Sequence, residues 1–163
     1  MQYGGSYVSG GCSLNILYVW GASNSFAGTT TTTVACNMFT ATSYTVTSAM
    51  NMQQSRNDSA TVFKEHEHAW ISGGGSSSVD KYNYSTETMR SSTLSGGLPG
   101  GDGQGGGSGF SDQHYGYWGY SGSTQKVTFA TDTFATSTHY WHNGQQKGFS
   151  SKVRKGYTGN EGS

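Results

Sequence analysis

Aromatic and other large apolar residues recur along this chain at a fixed step of 45 residues, and this recurrence limits the possible folds more than any other feature of the sequence. Two series keep the step: Phe39, Tyr84 and Phe129, and, five positions later, Tyr44, Met89 and Phe134. Each series lies in a phrase that contains several Thr or Ser residues. A period of this length is typical of proteins that stack one supersecondary unit repeatedly, because a single unit cannot bury its own apolar face.

A second marker lies upstream of each phrase, where a short aromatic or aliphatic run ends in glycine. The runs are LYVWGA from Leu17, AWISGG from Ala69 and YGYWGY from Tyr115, and KGYTGN from Lys155 matches the third. We therefore predict one repeat domain over residues 1–163, with units of about 14–63, 64–111 and 112–151 and a partial fourth unit over 152–163. This alignment puts Val19, Ile71 and Tyr117 at one position, two residues before the glycine.

The composition favours strands over helices. The chain has 26 glycines and many Ser, Thr and β-branched residues, and no long stretch repeats apolar residues at helical spacing. Short alternating runs between glycine clusters indicate strands, and a period near 45 residues fits a propeller blade better than a shorter solenoid coil. We predict an all-β fold, a β-propeller-like array of about three and a half antiparallel blades, with Tyr117 and Phe129 in its core.

The second unit resembles the kelch repeat. Its AWISGGG (residues 69–75) is similar to the kelch strand that ends in a Gly-Gly pair, and VDKYNYSTETM (residues 79–89) is similar to the strand that follows. MQQSRNDSATV (residues 52–62) resembles the kelch segment in which an Arg precedes the next strand. The resemblance covers residues 14–163 in degenerate form, with Gly21-Ala22 and Gly119-Tyr120 where kelch repeats place the glycine pair. It implies a β-propeller.

A looser likeness points to a role. Phrases such as VDKYNYSTET and YGYWGYSG are similar to repeats in tail or neck structural proteins of aquatic bacteriophages. Only 11% of the residues are charged. We expect a non-enzymatic structural or adhesive protein of a virion appendage or an extracellular fibre. Kelch-like propellers also include copper-radical oxidases, so the alternative is a fragment of a kelch-type oxidase or hydrolase.

The number of units predicts partners. Propellers typically close with 4 to 8 blades, whereas three units and a fragment fill this chain. Closure needs a longer polypeptide, copies that share blades, or pairing of residues 1–13 with the terminal fragment, and an open array exposes strand edges that other chains can join. We expect a homo-oligomer or neighbouring structural subunits.

Charge and hydropathy exclude two other classes of partner. Nine basic residues balance nine acidic residues, so no strong field attracts a phosphate backbone. The longest apolar run, Ile16–Trp20, is far shorter than the roughly 20 residues of a membrane helix. We expect neither nucleic acid nor membrane insertion.

Residues with catalytic or metal-binding chemistry are scattered. His66 and His68 are two residues apart, which would place both imidazoles on one face of a strand, and His139 and His142 form a second pair. The ordinary alternative is that all four are surface or turn residues. The acidic residues are also dispersed and fit turn and strand-edge roles: Asp58, Asp80, Glu87, Asp102, Asp112 and Asp132. We expect no catalytic residues, no metal site and no cofactor.

Two further features have structural explanations. The glycine-rich stretch Leu94–Gly109 lacks the Lys-Ser/Thr step and the helix of a phosphate-binding loop, so we interpret it as a flexible connection. Cys12 and Cys36 leave two alternatives open, one disulfide or two inert thiols.

Ring-bearing side chains near predicted loop ends suggest a binding role. The candidates are Trp118, Tyr120, Tyr140 and Trp141. Their flat apolar faces, with Ser, Thr, Asn and Gln nearby, would suit sugar rings, which present C–H faces and hydroxyl rims. We therefore expect surface glycans as a ligand class. The alternative is that these aromatics fill the gaps between blades.

Overall fold

The computed structural model describes most of the chain. The described residues are 9–13, 15–20, 23–24, 28–29, 33–45, 48–53, 59–73, 76–92, 108–120, 123–137, 146–150 and 156–160. They contain one short 3₁₀ turn, Ser48–Met50, and no α-helix. No helix in this part of the chain is therefore long or apolar enough to span a bilayer.

The described residues form sixteen strands. In chain order these are β1 (Ser9–Ser13), β2 (Ile16–Trp20), β3 (Ser23–Asn24), β4 (Gly28–Thr29), β5 (Thr33–Asn37), β6 (Thr42–Thr45), β7 (Ser59–Lys64), β8 (His68–Gly73), β9 (Ser76–Asn83), β10 (Thr88–Ser92), β11 (Ser108–Ser111), β12 (Tyr115–Tyr120), β13 (Ser123–Thr128), β14 (Thr133–Thr136), β15 (Gln146–Ser150) and β16 (Gly156–Asn160). Sheet 1 has the order β1-β2-β5-β6, and β3 and β4 pair separately. Sheet 2 contains β7 to β10, sheet 3 contains β11 to β14, and sheet 4 contains β15 and β16.

Each four-stranded sheet is an antiparallel meander whose strands follow chain order across the sheet. Their first strands, β1, β7, β11 and β15, lie side by side, so the sheets stand in a row along a common inner edge. This confirms the predicted all-β, propeller-like array of about three and a half blades. The four sheets that the structure describes do not close into a ring.

Glycine explains one of the tight connections. Gly73 ends β8 at a φ of 95°, which glycine adopts without the steric cost of a Cβ. This residue is the first glycine of the kelch-like AWISGGG run. The run ends the strand because its backbone turns sharply there.

The predicted repeat units and the sheets are out of phase by one strand. Each sequence unit starts near the second strand of a sheet and ends near the first strand of the next, as the boundary at residue 63 within β7 illustrates. The runs that defined the units lie on the second and third strands of each sheet and not on the first. Sequence similarity therefore followed the second and third strands.

The aromatic core lies between the sheets. We call the face of a sheet that is directed toward the preceding sheet its front face and the opposite one its back face. Tyr18 and Trp20 on the back face of sheet 1 pack with Tyr82 and Tyr84 on the front face of sheet 2. A second cluster joins the back face of sheet 2 to the front face of sheet 3: Ala60, Val62, Trp70, Val79, Trp118, Val127 and Phe129. Both faces of sheet 2 are therefore buried.

Strand register corrects the alignment of the repeats. Ile16, His68 and Tyr115 start their strands opposite Asn37, Asn83 and Thr128. Two residues further on, Tyr18, Trp70 and Tyr117 are equivalent, so the predicted equivalence of Tyr117 with Val19 and Ile71 is wrong by one residue. Phe129 is buried as predicted, whereas Tyr117 is only half-buried.

Candidate functional site

The connection between the third and fourth strands has the same geometry in all three complete sheets. Its centre is a Thr-x-Thr turn whose two hydroxyls lie 2.6 to 2.8 Å apart: Thr40 with Thr42, Thr86 with Thr88, and Thr131 with Thr133. The middle residues are left-handed, with φ of 53° at Ala41, 51° at Glu87 and 53° at Asp132. Non-glycine residues adopt this conformation only where the surroundings hold it.

The turns reveal an offset in the first repeat. Asn37 Oδ1 accepts hydrogen bonds from the N–H groups of Phe39 and Thr40, as Asn83 Oδ1 does from Ser85 and Thr86. The equivalent of Tyr84 and Phe129 is therefore Met38, three residues before the left-handed position. The predicted alignment of Phe39 with them is wrong by one residue.

The turn of sheet 3 clamps onto the back face of sheet 2. The Phe129 ring stacks on Trp70 with centroids 4.6 Å apart and planes 13° apart. Asp132 Oδ1 accepts a hydrogen bond of 3.1 Å from Trp70 Nε1, and its Oδ2 accepts one of 2.6 Å from Lys81 Nζ. Lys81 Nζ also lies 5.0 Å from the centre of the Trp70 ring. Trp70 thus contacts an aromatic ring, a carboxylate and an ammonium group, and we call this set of contacts the clamp.

The turn of sheet 2 meets sheet 1 at the equivalent place. The rings of Tyr84 and Tyr18 have centroids 5.4 Å apart and planes inclined by 44°. Gly11 makes room for Tyr84 and Trp20, since a Cβ there would lie 3.0 Å from Tyr84 Oη and 3.1 Å from the Trp20 ring. Burial raises the pKa of the Tyr84 hydroxyl, with smaller contributions from Cys12 and Tyr18. This hydroxyl is enclosed and has no hydrogen-bond partner among the residues that the structure describes.

The turn of sheet 1 is exposed. Met38 is 51% exposed and Phe39 is 79% exposed, and Thr40, Ala41 and Thr42 are exposed as well. Phe39 thus presents an aromatic face next to two threonine hydroxyls. The sequence placed Phe39 in one series with Tyr84 and Phe129. The Asn37 turn, which lies one residue out of step with the 45-residue period, is the signal that Phe39 is not their equivalent. This turn is the candidate binding site.

Trp118 is not an exposed binding residue. It is 4% exposed, its Nε1 donates a hydrogen bond of 3.2 Å to the Ala60 carbonyl, and its ring stacks on Phe134 at 5.7 Å. The expectation of an exposed Trp118 is wrong, because alternation along β12 directs this side chain to the front face, against sheet 2. Trp118 fills a gap between blades, which was the alternative.

The other predicted aromatics have no described side chains. Tyr120 ends β12, but its side chain lies outside the described part of the molecule. Tyr140 and Trp141 lie outside the described residues entirely, as do His139 and His142.

His66 and His68 do not share a strand face. His66 lies in the turn between β7 and β8 at a φ of 62°, with Nδ1 3.4 Å from Ser13 Oγ and Nε2 3.3 Å from Glu65 Oε1. His68 starts β8, with Nε2 3.2 Å from Asn83 Nδ2. The described ranges contain no group of three or more residues able to hold a metal.

The environment of His68 disfavours its charged form. Burial lowers the pKa of His68, and the nearby Lys81 ammonium lowers it further. Asp132 and Glu67 act in the opposite sense, and Lys64 adds a small lowering effect. The imidazole also lies 5.6 Å from the Trp70 ring, next to the clamp between sheets 2 and 3.

Acidic side chains occupy structural positions. Asp112 Oδ1 accepts hydrogen bonds of 2.7 Å from the backbone N–H groups of His114 and Tyr115. Glu87 and Asp132 occupy the left-handed turn positions, and Asp80 is fully buried. Glu87, Asp112 and Asp132 thus have the predicted turn roles, whereas the strand-edge role predicted for Asp80 is wrong, because β9 is an inner strand of sheet 2. Asp58 and Asp102 lie outside the described residues.

The two thiols are not bonded to each other. Cys12 is exposed and Cys36 is half-buried, and both are free. The register pairs both with Leu17 from opposite sides, which puts them two strand spacings, about 10 Å, apart. This exceeds the Cα separation that a disulfide spans.

Comparison with protein families and with curated proteins found no relative. No protein-family model matches the sequence, and no curated protein is similar to it.

Proposed function

We propose that this chain is a non-enzymatic, kelch-like structural repeat protein of a virion appendage or an extracellular fibre, and that its exposed turns bind glycans. The clamp of Phe129 and Asp132 on Trp70 is the observation that carries the structural part. It joins neighbouring sheets through rings, a carboxylate and an ammonium at one point. The Asp132 carboxylate and the Lys81 ammonium hold neighbouring repeats together at this point. A fibre or an appendage under mechanical tension requires such cohesion between its repeats.

The exposed turn of sheet 1 supports the glycan part. The Phe39 ring is the most exposed of the large apolar side chains described, and the same exposed turn carries the Thr40 and Thr42 hydroxyls. Aromatic faces and neutral hydroxyls suit the C–H faces and hydroxyl rims of sugars. Tyr120, Tyr140 and Trp141 are further candidates from the sequence.

A glycan array tests this part. The purified chain should bind a subset of glycans, and Phe39→Ala should lower that binding at least tenfold. Phe39→Tyr is the matched control, since it keeps an aromatic ring at the same position, and it should leave binding nearly unchanged. A combined Tyr120→Ala, Tyr140→Ala and Trp141→Ala variant tests the sequence candidates. No binding by the parent chain would refute the adhesive role.

Two measurements test the structural role. Electron microscopy of intact particles from the source should show antibody against this chain on an appendage or fibre. Metal analysis of the purified chain should return neither copper nor zinc at one ion per chain. Stoichiometric copper or zinc would instead support a kelch-type oxidase or hydrolase.

A further inference from the structure

The front face of sheet 1 is mostly apolar, and in the other complete sheets the equivalent face is covered. Its described side chains are those of Cys12, Leu17, Val19, Val34, Cys36 and Met38, together with the exposed Ser43 on the outer strand. None of them is an acid or a base of the Asp, Glu, Lys, Arg or His type. Leu17 is 39% exposed and Met38 is 51% exposed, and the two valines and Cys36 are half-buried.

The equivalent positions of sheets 2 and 3 show what such a face does. Leu17 corresponds to Ala69, which is fully buried, and Met38 corresponds to Tyr84 and Phe129, which are 8% and 6% exposed. These residues are buried because each front face packs on the back face of the sheet before it. The same fold thus makes this contact twice within one chain.

The row of sheets continues toward the other end of the chain. Sheet 4 continues the row beside β11, and its strands pair Phe149 with Tyr157 as β11 and β12 pair Phe110 with Tyr117. The repeat pattern therefore continues up to β16. In a second copy of the chain the same row of sheets leads up to sheet 4. Sheet 1 of the first copy would then be the next sheet of that row, with its front face toward the second copy.

We infer that the front face of sheet 1 binds the C-terminal end of a second copy, so that copies follow one another in the order of the sheets within a chain. This inference rests on the structural role proposed above, and it names the surface and the partner through which the chain would assemble. Such a contact joins two different surfaces, and it therefore builds either a closed ring or an open fibre. Apolar side chains that remain in water on a folded monomer mark an interface of this kind.

Size-exclusion chromatography with light scattering tests the surface. The parent chain should form species of at least twice its 17.3 kDa mass, and Leu17→Asp and Met38→Lys should each give monomers. Both side chains are exposed, so circular dichroism of the variants should match that of the parent. Phe39→Ser is the matched control and should still assemble, because its equivalents Ser85 and Ala130 are exposed within the row. A monomeric parent chain at all concentrations would overturn the inference.

A mixing experiment tests the order of the surfaces. Tagged Leu17→Asp keeps an intact C-terminal end, so it should capture untagged parent chains but not untagged Leu17→Asp. If the parent assembles and does not join the tagged variant, the contact is front face to front face and the inference is wrong. The glycan array is independent of these results, so failure of assembly and failure of glycan binding are distinguishable.

Discussion

The ring of Phe129 stacks on the ring of Trp70 across the boundary between sheets 3 and 2, with centroids 4.6 Å apart. Shortening Phe129 to Ala should lower the free energy of unfolding by about 3–5 kcal/mol, because it removes a buried ring and leaves a cavity. Urea denaturation followed by tryptophan fluorescence measures this. Phe39→Ala, at an exposed ring, should change the free energy by no more than about 0.5 kcal/mol. Equal effects of the two variants would contradict the clamp.

The carboxylate of Asp132 is predicted to contribute a small, salt-sensitive stabilisation. Asp132→Asn keeps an oxygen for the Trp70 N–H but loses the ion pair with Lys81. The Asp132 side chain is 41% exposed and the Lys81 side chain 21% exposed, so water screens this pair. The expected loss is about 0.2–1 kcal/mol at low salt, and it should shrink in 1 M salt because of screening, roughly to a 3 Å Debye length. Thermal unfolding at both salt concentrations measures the difference. A loss that is independent of salt would contradict the ion pair.

Gly116 allows sheet 3 to approach sheet 2. A Cβ at this position would lie 2.5 Å from Val62 Cγ2 and 2.9 Å from Val127 Cγ1. Gly116→Ala should therefore destabilise the fold by about 1–3 kcal/mol through overpacking. Adding Val62→Ala removes the nearest atom, Val62 Cγ2, but keeps Val62 Cβ at 2.7 Å, so the clash is only partly relieved and the pair should be somewhat less destabilising than the sum of the single variants. Strict additivity in urea denaturation would show that the two residues do not meet.

The lowered pKa of His68 predicts a loss of stability on acidification. The unfolded chain takes up a proton near the ordinary value of 6.5, while the folded imidazole resists protonation until a lower pH. In the window below pH 6.5 the unfolded state therefore binds more protons, and the free energy of unfolding falls as the pH falls. His68→Gln should flatten this dependence between pH 6.5 and about pH 5, above the range of ordinary carboxyl groups. An unchanged slope would assign the effect to other groups.

The raised pKa of Tyr84 predicts a loss of stability at alkaline pH. The contribution of Tyr84 to the free energy of unfolding is complete below pH 10, the ordinary tyrosine value, and is lost as the pH rises further, because the unfolded chain ionises first. Tyr84→Phe should reduce this alkaline loss. At pH 7 the variant should be at least as stable as the parent, since the enclosed hydroxyl has no hydrogen-bond partner in the described part of the chain. Denaturation curves at pH 7 and above pH 10 measure both effects, and a destabilised variant at pH 7 would reveal a bond to this hydroxyl.

Local chemistry made the strands and their repetition predictable. Alternating residues and glycine at strand ends act over a few positions, so they marked β8 and β12 within one residue. The exact register was not predictable, because a slip of one residue costs nothing in a sequence alignment. In a sheet the same slip moves a side chain to the other face, as Trp118 and Tyr117 show.

The sequence by itself determined an all-β chain of repeated sheets, because strand alternation and turn chemistry depend on neighbours along the chain. The tertiary structure decided which of the equivalent side chains are buried. Met38, Tyr84 and Phe129 occupy the same place in the same turn, yet Met38 is 51% exposed while the other two are 8% and 6% exposed. The difference is whether another sheet packs in front of the turn, and apolar surface is removed from water only where that sheet is present.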